Sequence, residues 1–454
     1  MYAMDPIGEK SHCKDNCKYK EMNIYIKHNG CLNLAIDFNT MLTALKKANH
    51  VLKTESKDAD VIIFAGCGVR SEWVTNAIKR INSLDTNQKE VVISGCIANI
   101  ETERIKEMVN AHKLSFKTIK EIISDYTPFR FEDIYKEFSQ NETTNFIGDN
   151  PLRDKIGGKR VVLEYIQELD KKYGSFAEQF YKNMTSGFAF YNEEVPVEFI
   201  VASRGCPYNC TYCTIPKGRG KYESVKIEHI LYKVENAINN NRYKIIIIGD
   251  ELGNYGVDLR DGTNFKTLLD AIIKKDERIT VSLRYIEPIP FMKYYDVIKD
   301  YCVSKKISLI HLPIQTGSQR VLKAMNRNYD INKLVELCVP LIEQTDTAFC
   351  TNWLVGFPTE TEEDFNLTLQ VAKRLNFNLN TAIPFSPRPG TIASTLTQIN
   401  SKETIRNRCS KLEQILLESK FNQLISLTPN ISVEEKRILW QLMGDSEDTP
   451  VKQL

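Results

Sequence analysis

Six of the chain's 12 cysteines fall into two patterns that could hold metal. In RGCPYNCTYCTIP, Cys206, Cys210 and Cys213 follow a C-x3-C-x2-C spacing directly after a run, 197–202, that reads as a strand. Three thiolates on one tight loop can cap three irons of a 4Fe-4S cube and leave the fourth iron without a protein ligand, open for chemistry. Zinc is the other metal to weigh, but a structural zinc site closes with four ligands, and no nearby Cys or His completes this set. Coincidence in a cysteine-rich chain is the plain alternative. The second pattern is dispersed: Cys31, Cys67 and Cys96 stand in HNGC, FAGC and ISGC, each after a predicted strand and each with glycine directly before the thiol. In an open parallel sheet the strand C-termini face one crevice, where residues far apart in sequence can converge as three ligands around an open iron. The other reading is three tight βα turns, each with a small buried thiol.

Both patterns need strands to present them. From residue 22 to about 108 strands and helices alternate, with strands over 23–27, 61–64 and 90–94 and helices over 34–48, 71–83 and 101–109, which is a doubly wound α/β pattern. Residues 111–192 are less regular, with helical stretches near 131–138 and 159–172, and read as a connector or insertion. From residue 197 the alternation resumes with strands over 197–202, 244–248, 279–284, 308–313, 349–355 and 381–385. Six β/α units suggest a partial parallel barrel with its active site at the strand C-termini. After residue 390 the chain turns helical, most clearly over 403–424 and 433–443. The expected fold class is therefore α/β: an N-terminal doubly wound domain over 22–110, a connector over 111–192, a (β/α)6 barrel over 193–395 and a helical extension over 396–454.

Composition narrows the function classes. At roughly 150 residues per domain, 454 residues allow two or three domains. Sixty Lys plus Arg against 58 Asp plus Glu leave a formal charge of +2, so no global positive excess advertises nucleic acid or an anionic membrane. Apolar runs such as 245–248 are too short to span a bilayer. The first 20 residues lack the apolar core of a secretory signal, so the expected location is the cytoplasm. In a reducing compartment clustered thiols point to metal or redox chemistry more than to disulfides.

The first triad, with Tyr212 just before its last cysteine, resembles the signature of radical S-adenosylmethionine enzymes. That resemblance implies an open iron that chelates the amino and carboxylate groups of S-adenosylmethionine and, on reduction, cleaves it to a 5′-deoxyadenosyl radical. It also sets Tyr212 against the adenine. Two triads on two α/β domains resemble the methylthiotransferases, a subgroup with a second cluster in its N-terminal domain. KGRGKYESV after the first triad, HLPIQTGSQRVLKAMNRNY over 311–329, LVGFPTETEEDF over 354–365 and FSPRPGT over 385–391 are similar to segments of that family, so the likeness covers about residues 22–395. It implies two 4Fe-4S clusters, S-adenosylmethionine, an electron donor, and transfer of a methylthio group to an unactivated C–H bond. By the same resemblance, one S-adenosylmethionine methylates sulfur at the Cys31/Cys67/Cys96 cluster and another is cleaved at the Cys206/Cys210/Cys213 cluster.

The chain also departs from that family. Leu34, Phe38 and Asn39 stand where the family shows Asn and a Ser-Glu pair, although Asp37 fits, and Cys67 follows Ala65 and Gly66 where Asn-Thr is usual. These positions line the second-cluster crevice and bear on substrate identity. Most relatives end in a small β-barrel that grips RNA or a ribosomal protein; here residues 401–454 are helical in pattern, with eight basic and eight acidic side chains. A neutral tail without alternating strands is a poor RNA clamp. With IIIIGDELGNYGVD and RYIEPIPF, which resemble the protein-modifying branch, this leads to a peptide or protein as the expected substrate and no membrane partner. The rivals are a tRNA methylthiotransferase, a peptide maturase forming another thioether, and a non-catalytic iron-sulfur protein.

Further cofactor contacts follow from the barrel. Gly249, Asp250 and Glu251 end a predicted strand where the superfamily often contacts the methionine amino group; a carboxylate there can accept from the ammonium, or it can cap a helix after the strand. Arg284 and Gln315, at the ends of the third and fourth barrel strands, point into the same mouth. Arg388 reads as an anion contact or a turn brace, and Lys217, Arg219 and Lys221 as partners of a carboxylate or phosphate or as a solvated surface. His12, Cys13 and Cys17 form an HCKDNC element that could bind metal, whereas Cys302, Cys338, Cys350 and Cys409 have no useful spacing.

Overall fold

In the computed structural model, which describes residues 19–69, 71–137, 160–174 and 197–443, two parallel sheets carry the chain. The first holds β1 (Asn23–Asn29), β2 (Val51–Lys53), β3 (Val61–Gly66), β4 (Glu90–Ser94) and β5 (Lys113–Phe116) in the order β2-β1-β3-β4-β5. All six residues of β3 are buried, as a near-continuous apolar run requires when helices cover both faces. Alternate strand residues divide between the faces. Ile24, Val61, Ile63 and Val92 pack under the helices Leu32–Lys47, Ile119–Tyr126 and Phe131–Glu137, while Tyr25, Ile62, Phe64, Val91 and Ile93 meet the helices Ser71–Asn82 and Thr102–Met108. Strand β5 and the two helices after it lie beyond residue 110 yet build on this sheet. Their signal is weak because β5 is a short, half-exposed edge strand.

The second sheet is parallel throughout and follows chain order: β6 (Val197–Val201), β9 (Lys244–Ile248), β10 (Thr280–Arg284), β11 (Ile307–His311), β12 (Ala348–Val355) and β13 (Leu379–Pro384). Among the described residues β13 and β6 do not pair, so the barrel is partial, as its six-unit count implied. A short antiparallel ribbon, β7 (Ser203–Arg204) with β8 (Glu223–Ser224), closes the base of the loop between β6 and β9. Trp353, Phe349, Phe265 and Phe291 fill the core between sheet and helices. The tail is helical, over Lys402–Ser426 and Val433–Met443, and its Phe421, Leu424, Leu439 and Trp440 pack with Val162, Ile166 and Leu169 of the helix Arg160–Tyr173. Among the described residues no helix is long and apolar enough to cross a membrane.

The two sheets share a core. Phe199, Val201, Ile246 and Ile248 on the outer face of β6 and β9 pack into the cluster formed by the helix Leu32–Lys47, and Tyr135 Oη accepts from Val201 N–H at 2.8 Å. The first domain thus supplies the layer that a parallel strand needs on its outer face. A buried ion pair adds to the tie: Arg388 donates to the Glu101 carboxylate and to Gly68 O. Breaking such a pair from one side leaves an uncompensated charge. Arg388→Ala is expected to lower the unfolding free energy by about 3 kcal/mol, the low end for a buried pair, because Arg104 stays 3.9 Å from Glu101. Denaturant melts of the variant and the parent check this, with Glu101→Gln added to the variant expected to recover part of the loss.

Candidate functional site

Register brings the dispersed cysteines together. Asn29 pairs with Gly66 and Ala65 with Ser94, so the neighbouring strands β1, β3 and β4 end at one level. Cys31 is the N-cap residue of the helix Leu32–Lys47, Cys67 is the first residue past β3, and Cys96 opens the helix Cys96–Ile100. Cys67 N–H donates to Asn29 O at 2.8 Å. The glycine before Cys96 is needed by geometry: Gly95 has φ +76°, and a Cβ there would sit 2.8 Å from Gly66 O. Burial pushes the Cys31 and Cys96 thiols up, Arg219 opposes this at both, and Cys96 also feels Cys67 and Cys31. Bare, these thiols stay protonated; the positive charge of a metal is what would let three thiolates share the crevice.

The other triad sits on the loop between the ribbon strands. Cys213 N–H donates to Cys210 O at 3.0 Å, which curls the loop, and Ile215 N–H donates to Cys213 Sγ at 3.4 Å. The loop is pinned from outside its own sequence: Thr211 N–H to Met325 O at 3.1 Å, Thr211 Oγ1 to Ala324 O at 3.0 Å, and Ala393 N–H to Thr211 O at 2.9 Å. Arg327 reaches Cys210 Sγ at 3.9 Å through Nη1 and joins Glu287 at 2.6 Å through Nη2. Burial pushes the Cys213 thiol up to about 12. Tyr212 packs with Val321, Met325, Leu354 and Phe357 beside this loop.

The remaining expected contacts divide. Asp250 does not stand free in the mouth. It accepts from Arg219 Nε at 2.9 Å, Gly205 N–H at 2.8 Å and Asn33 Nδ2 at 2.8 Å, and so joins the two domains. Glu251 is buried and caps its own turn, accepting from Gly253 N–H, Asn254 N–H and Asn254 Nδ2 within 2.8 Å. Burial nonetheless pushes its carboxyl up to about 7. Each of its short contacts is a donor from its own loop, so Glu251 braces a turn; it caps no helix, since the next one begins at Phe265. Gly249 has no room for a side chain, since a Cβ would meet Ser203 Oγ at 2.4 Å. Arg284 is buried at the end of β10, and Gln315 is buried four residues past the end of β11, in an isolated bridge to Trp353 of β12. Gln315 has φ +76°, a conformation that costs a non-glycine residue about 1–2 kcal/mol, and the bridge to β12 holds it there: its N–H donates to Asn352 O at 2.9 Å and its carbonyl accepts from Leu354 N–H at 2.8 Å. Between them His311 is buried against Tyr285, ring centroids 4.2 Å apart; burial and then Arg284 hold the imidazole well below its ordinary pKa, hence neutral.

Arg388 is the anion contact of the two readings given, but its anion is Glu101. Lys217 and Arg219 face the first domain, Lys217 Nζ lying 3.4 Å from Ile100 O. His12, Cys13 and Cys17 fall outside the described residues. Cys302, Cys338, Cys350 and Cys409 are buried in the barrel core. Arg327 and Glu287 carried no weight in the sequence reading, although both lie inside quoted motifs, MNRNY and RYIEPIPF. Their meeting across the barrel mouth is visible only in three dimensions.

The junction tests whether the two triads suit clusters. Among the described residues no three His, Cys, Asp or Glu side chains gather as tightly as ligands of a single metal ion do. A four-iron cube spaces its sulfur ligands more widely than one ion does. Buried polar atoms without a protein partner flank both triads: Ser94 Oγ and Asn33 Oδ1 each two residues from a first-domain cysteine, and Thr214 Oγ1 next to Cys213. An all-thiol donor set with unmet polar atoms beside it fits an iron-sulfur cluster with a further ligand.

Comparison with known proteins agrees with this geometry. Residues 200–372 match the Radical SAM superfamily, and residues 23–116 match Uncharacterized protein family UPF0004. Among curated relatives, tRNA-2-methylthio-N(6)-dimethylallyladenosine synthase of Thermosipho africanus is 28% identical over 91% of this chain and 89% of its own length. The protein of the same name from Psychrobacter sp. is 26% identical over 97% and 86%, and that of Thermotoga petrophila 29% over 82% and 76%. A solved structure of a radical S-adenosylmethionine methyltransferase from Kitasatospora setae superposes with a TM-score of 0.51 at 12% identity, covering 82% of this chain and 75% of that one, a likeness of fold.

Proposed function

Because this chain belongs to the radical S-adenosylmethionine methylthiotransferases, enzymes that use 4Fe-4S clusters and S-adenosylmethionine, we propose that Cys206, Cys210 and Cys213 hold the cluster that meets S-adenosylmethionine and that Cys31, Cys67 and Cys96 hold a second. The observation that carries this is the convergence of Cys31, Cys67 and Cys96 at one sheet end, facing the barrel's own cysteine loop across a buried junction. When bound and reduced, the first cluster supplies the electron that cleaves S-adenosylmethionine, and the second presents the sulfur.

This chain's residues then have definite tasks. Tyr212, anchored among Val321, Met325 and Leu354, offers an aromatic face beside the loop. Arg327 keeps a positive charge on Cys210, balanced by Glu287, so the loop does not carry uncompensated thiolate charge. Neutral His311 and Arg284 line the mouth at the ends of β10 and β11, where Arg284 can meet an anionic group and the imidazole can donate or accept without carrying charge. The packing of the helix Ile215–Arg219 on the helix Cys96–Ile100 sets the spacing between the two triads; Asn99 Nδ2 donates to Gly218 O at 3.1 Å across that contact. Held in this way, one carbon of a substrate can reach both centres in a single pose.

For the substrate, the names of relatives that match over 82–97% of the chain support an adenosine of tRNA as the first reading, ahead of the peptide that the tail suggested. A peptide or protein is the second reading. It is favoured by the equal count of acidic and basic side chains in residues 401–454 and by the packing of the tail's apolar residues against the helix Arg160–Tyr173. Anaerobic reaction of the reconstituted protein with S-adenosylmethionine, a reductant and either unmodified tRNA or candidate peptides separates them. A CH2S gain in a digested nucleoside, with tRNA binding that weakens steeply as salt rises, supports the first. The same gain in a peptide supports the second, and cleavage of S-adenosylmethionine with no CH2S gain in either would sink the methylthiolation reading.

A further inference from the structure

Four largely buried charged side chains lie between the two cysteine triads. Asp37 is reached by Arg204 at 2.9 Å and by Arg219 Nη1 at 3.2 Å, and Arg219 Nε donates to Asp250 at 2.9 Å. Asp250 also accepts from Gly205 N–H, one residue before Cys206, and from Asn33, two residues after Cys31. Two cations and two carboxylates balance, so the network is closed in charge. It is not closed in hydrogen bonds, because Arg219 Nη2 is buried without a partner in the protein. An unmet buried guanidinium donor is costly and normally marks an acceptor still to come. The charge of Arg219 acts on both Cys31 and Cys96. Its helix presses on the one that Cys96 opens: a Cβ at Gly218 would lie 3.1 Å from Cys96 Cβ.

We propose that Arg219, carried on the barrel's cysteine loop, is a positioning residue for the first-domain cluster: its unused Nη2–H serves that cluster's sulfur, and its charge raises the cluster's reduction potential. The inference rests on the reading that Cys31, Cys67 and Cys96 hold a cluster. A fixed positive charge beside a cluster in a low-dielectric junction favours the reduced, more negative state. The Asp37 and Asp250 contacts hold the guanidinium in place, so the charge does not drift with solvent.

The test uses the full chain carrying C206A, C210A and C213A, reconstituted with iron and sulfide, so that a redox titration followed by electron paramagnetic resonance reads the first-domain cluster alone. In that background R219Q is expected to shift the midpoint to more negative potential, and R219K, which keeps the charge but loses the fork, to restore most of the shift. An unchanged midpoint in R219Q overturns the inference. Should R219Q fail to load iron, R219Q with D250N removes the stranded carboxylate and is compared with D250N alone, so that the difference between the two reads Arg219. A midpoint more negative in the double variant than in D250N supports the inference, whereas equal midpoints, or a cluster in D250N and none in the double variant, show a merely structural role and overturn it. No cluster signal in the parent background defeats the two-cluster assignment itself, an outcome distinct from a cluster whose potential ignores Arg219.

Discussion

Replacing any one of Cys206, Cys210 or Cys213 by Ala is expected to abolish cleavage of S-adenosylmethionine, with bound iron falling from about eight to about four per chain, the content of one remaining cube. The reason is ligand count. With one iron already left open, two thiols cannot retain a cube that needs three, and no other Cys lies on that loop. The fold should survive the change. Thr211 keeps its bonds to Ala324, Met325 and Ala393, the Ser203–Ser224 ribbon pairing closes the loop base, and the three cysteines are partly buried and belong to no apolar core cluster, so truncation opens little core. Unfolding curves of the metal-free variants should therefore overlay the parent, while iron content and 5′-deoxyadenosine release collapse. Retention of parental cleavage by Cys210→Ala would show that the loop is not where S-adenosylmethionine meets iron.

Replacing Cys31, Cys67 or Cys96 by Ala should separate the two halves of the reaction. Iron again falls by about half, but 5′-deoxyadenosine is still formed and the CH2S gain in product disappears. The barrel loop owes its shape to residues 324–327 and 393, none of which touches the first-domain triad, so cleavage has what it needs. Cys96 is the most demanding case. It is buried against the helix that follows Cys213, and its loss also removes packing at the junction. Cys31→Ala, at a partly buried helix N-cap, is the cleaner variant. Methylthiolated product from Cys31→Ala would mean that sulfur arrives by a route that avoids this triad.

Much of the architecture was legible because it rests on local periodicity. Strand β9, KIIII, and strand β4, EVVIS, have the bounds that their apolar runs suggest, and the helix Val433–Met443 matches its amphipathic pattern. What escaped was structure without such a signal. The half-exposed edge strand KLSF at β5 offers no apolar run, and the helix Cys96–Ile100 is a single turn whose position comes from the strand before it and the barrel helix against it. At the site, the three-cysteine loop could be read from spacing alone, and the dispersed triad from the repetition of Gly-Cys at strand ends. The acidic pair after β9 could not be assigned. Asp250 and Glu251 are neighbours in sequence, but one joins the domains and the other caps its own loop, because successive side chains leave a strand end in different directions.

The sequence by itself determined that this is an α/β protein with thiols at its strand ends, since period, composition and ligand spacing are properties of short stretches of chain. Only the tertiary structure decided what those thiols face. Arg219 lies among residues read as either ion partners or solvated surface, and it became a buried link to Asp37 and Asp250 when two domains shared a core. Arg327 and Glu287, far apart in the chain, met over Cys210 because a parallel sheet aligns the ends of its strands. A charge pair formed by packing leaves no period and no fixed spacing in the sequence, so its partners are known only once the chain has folded.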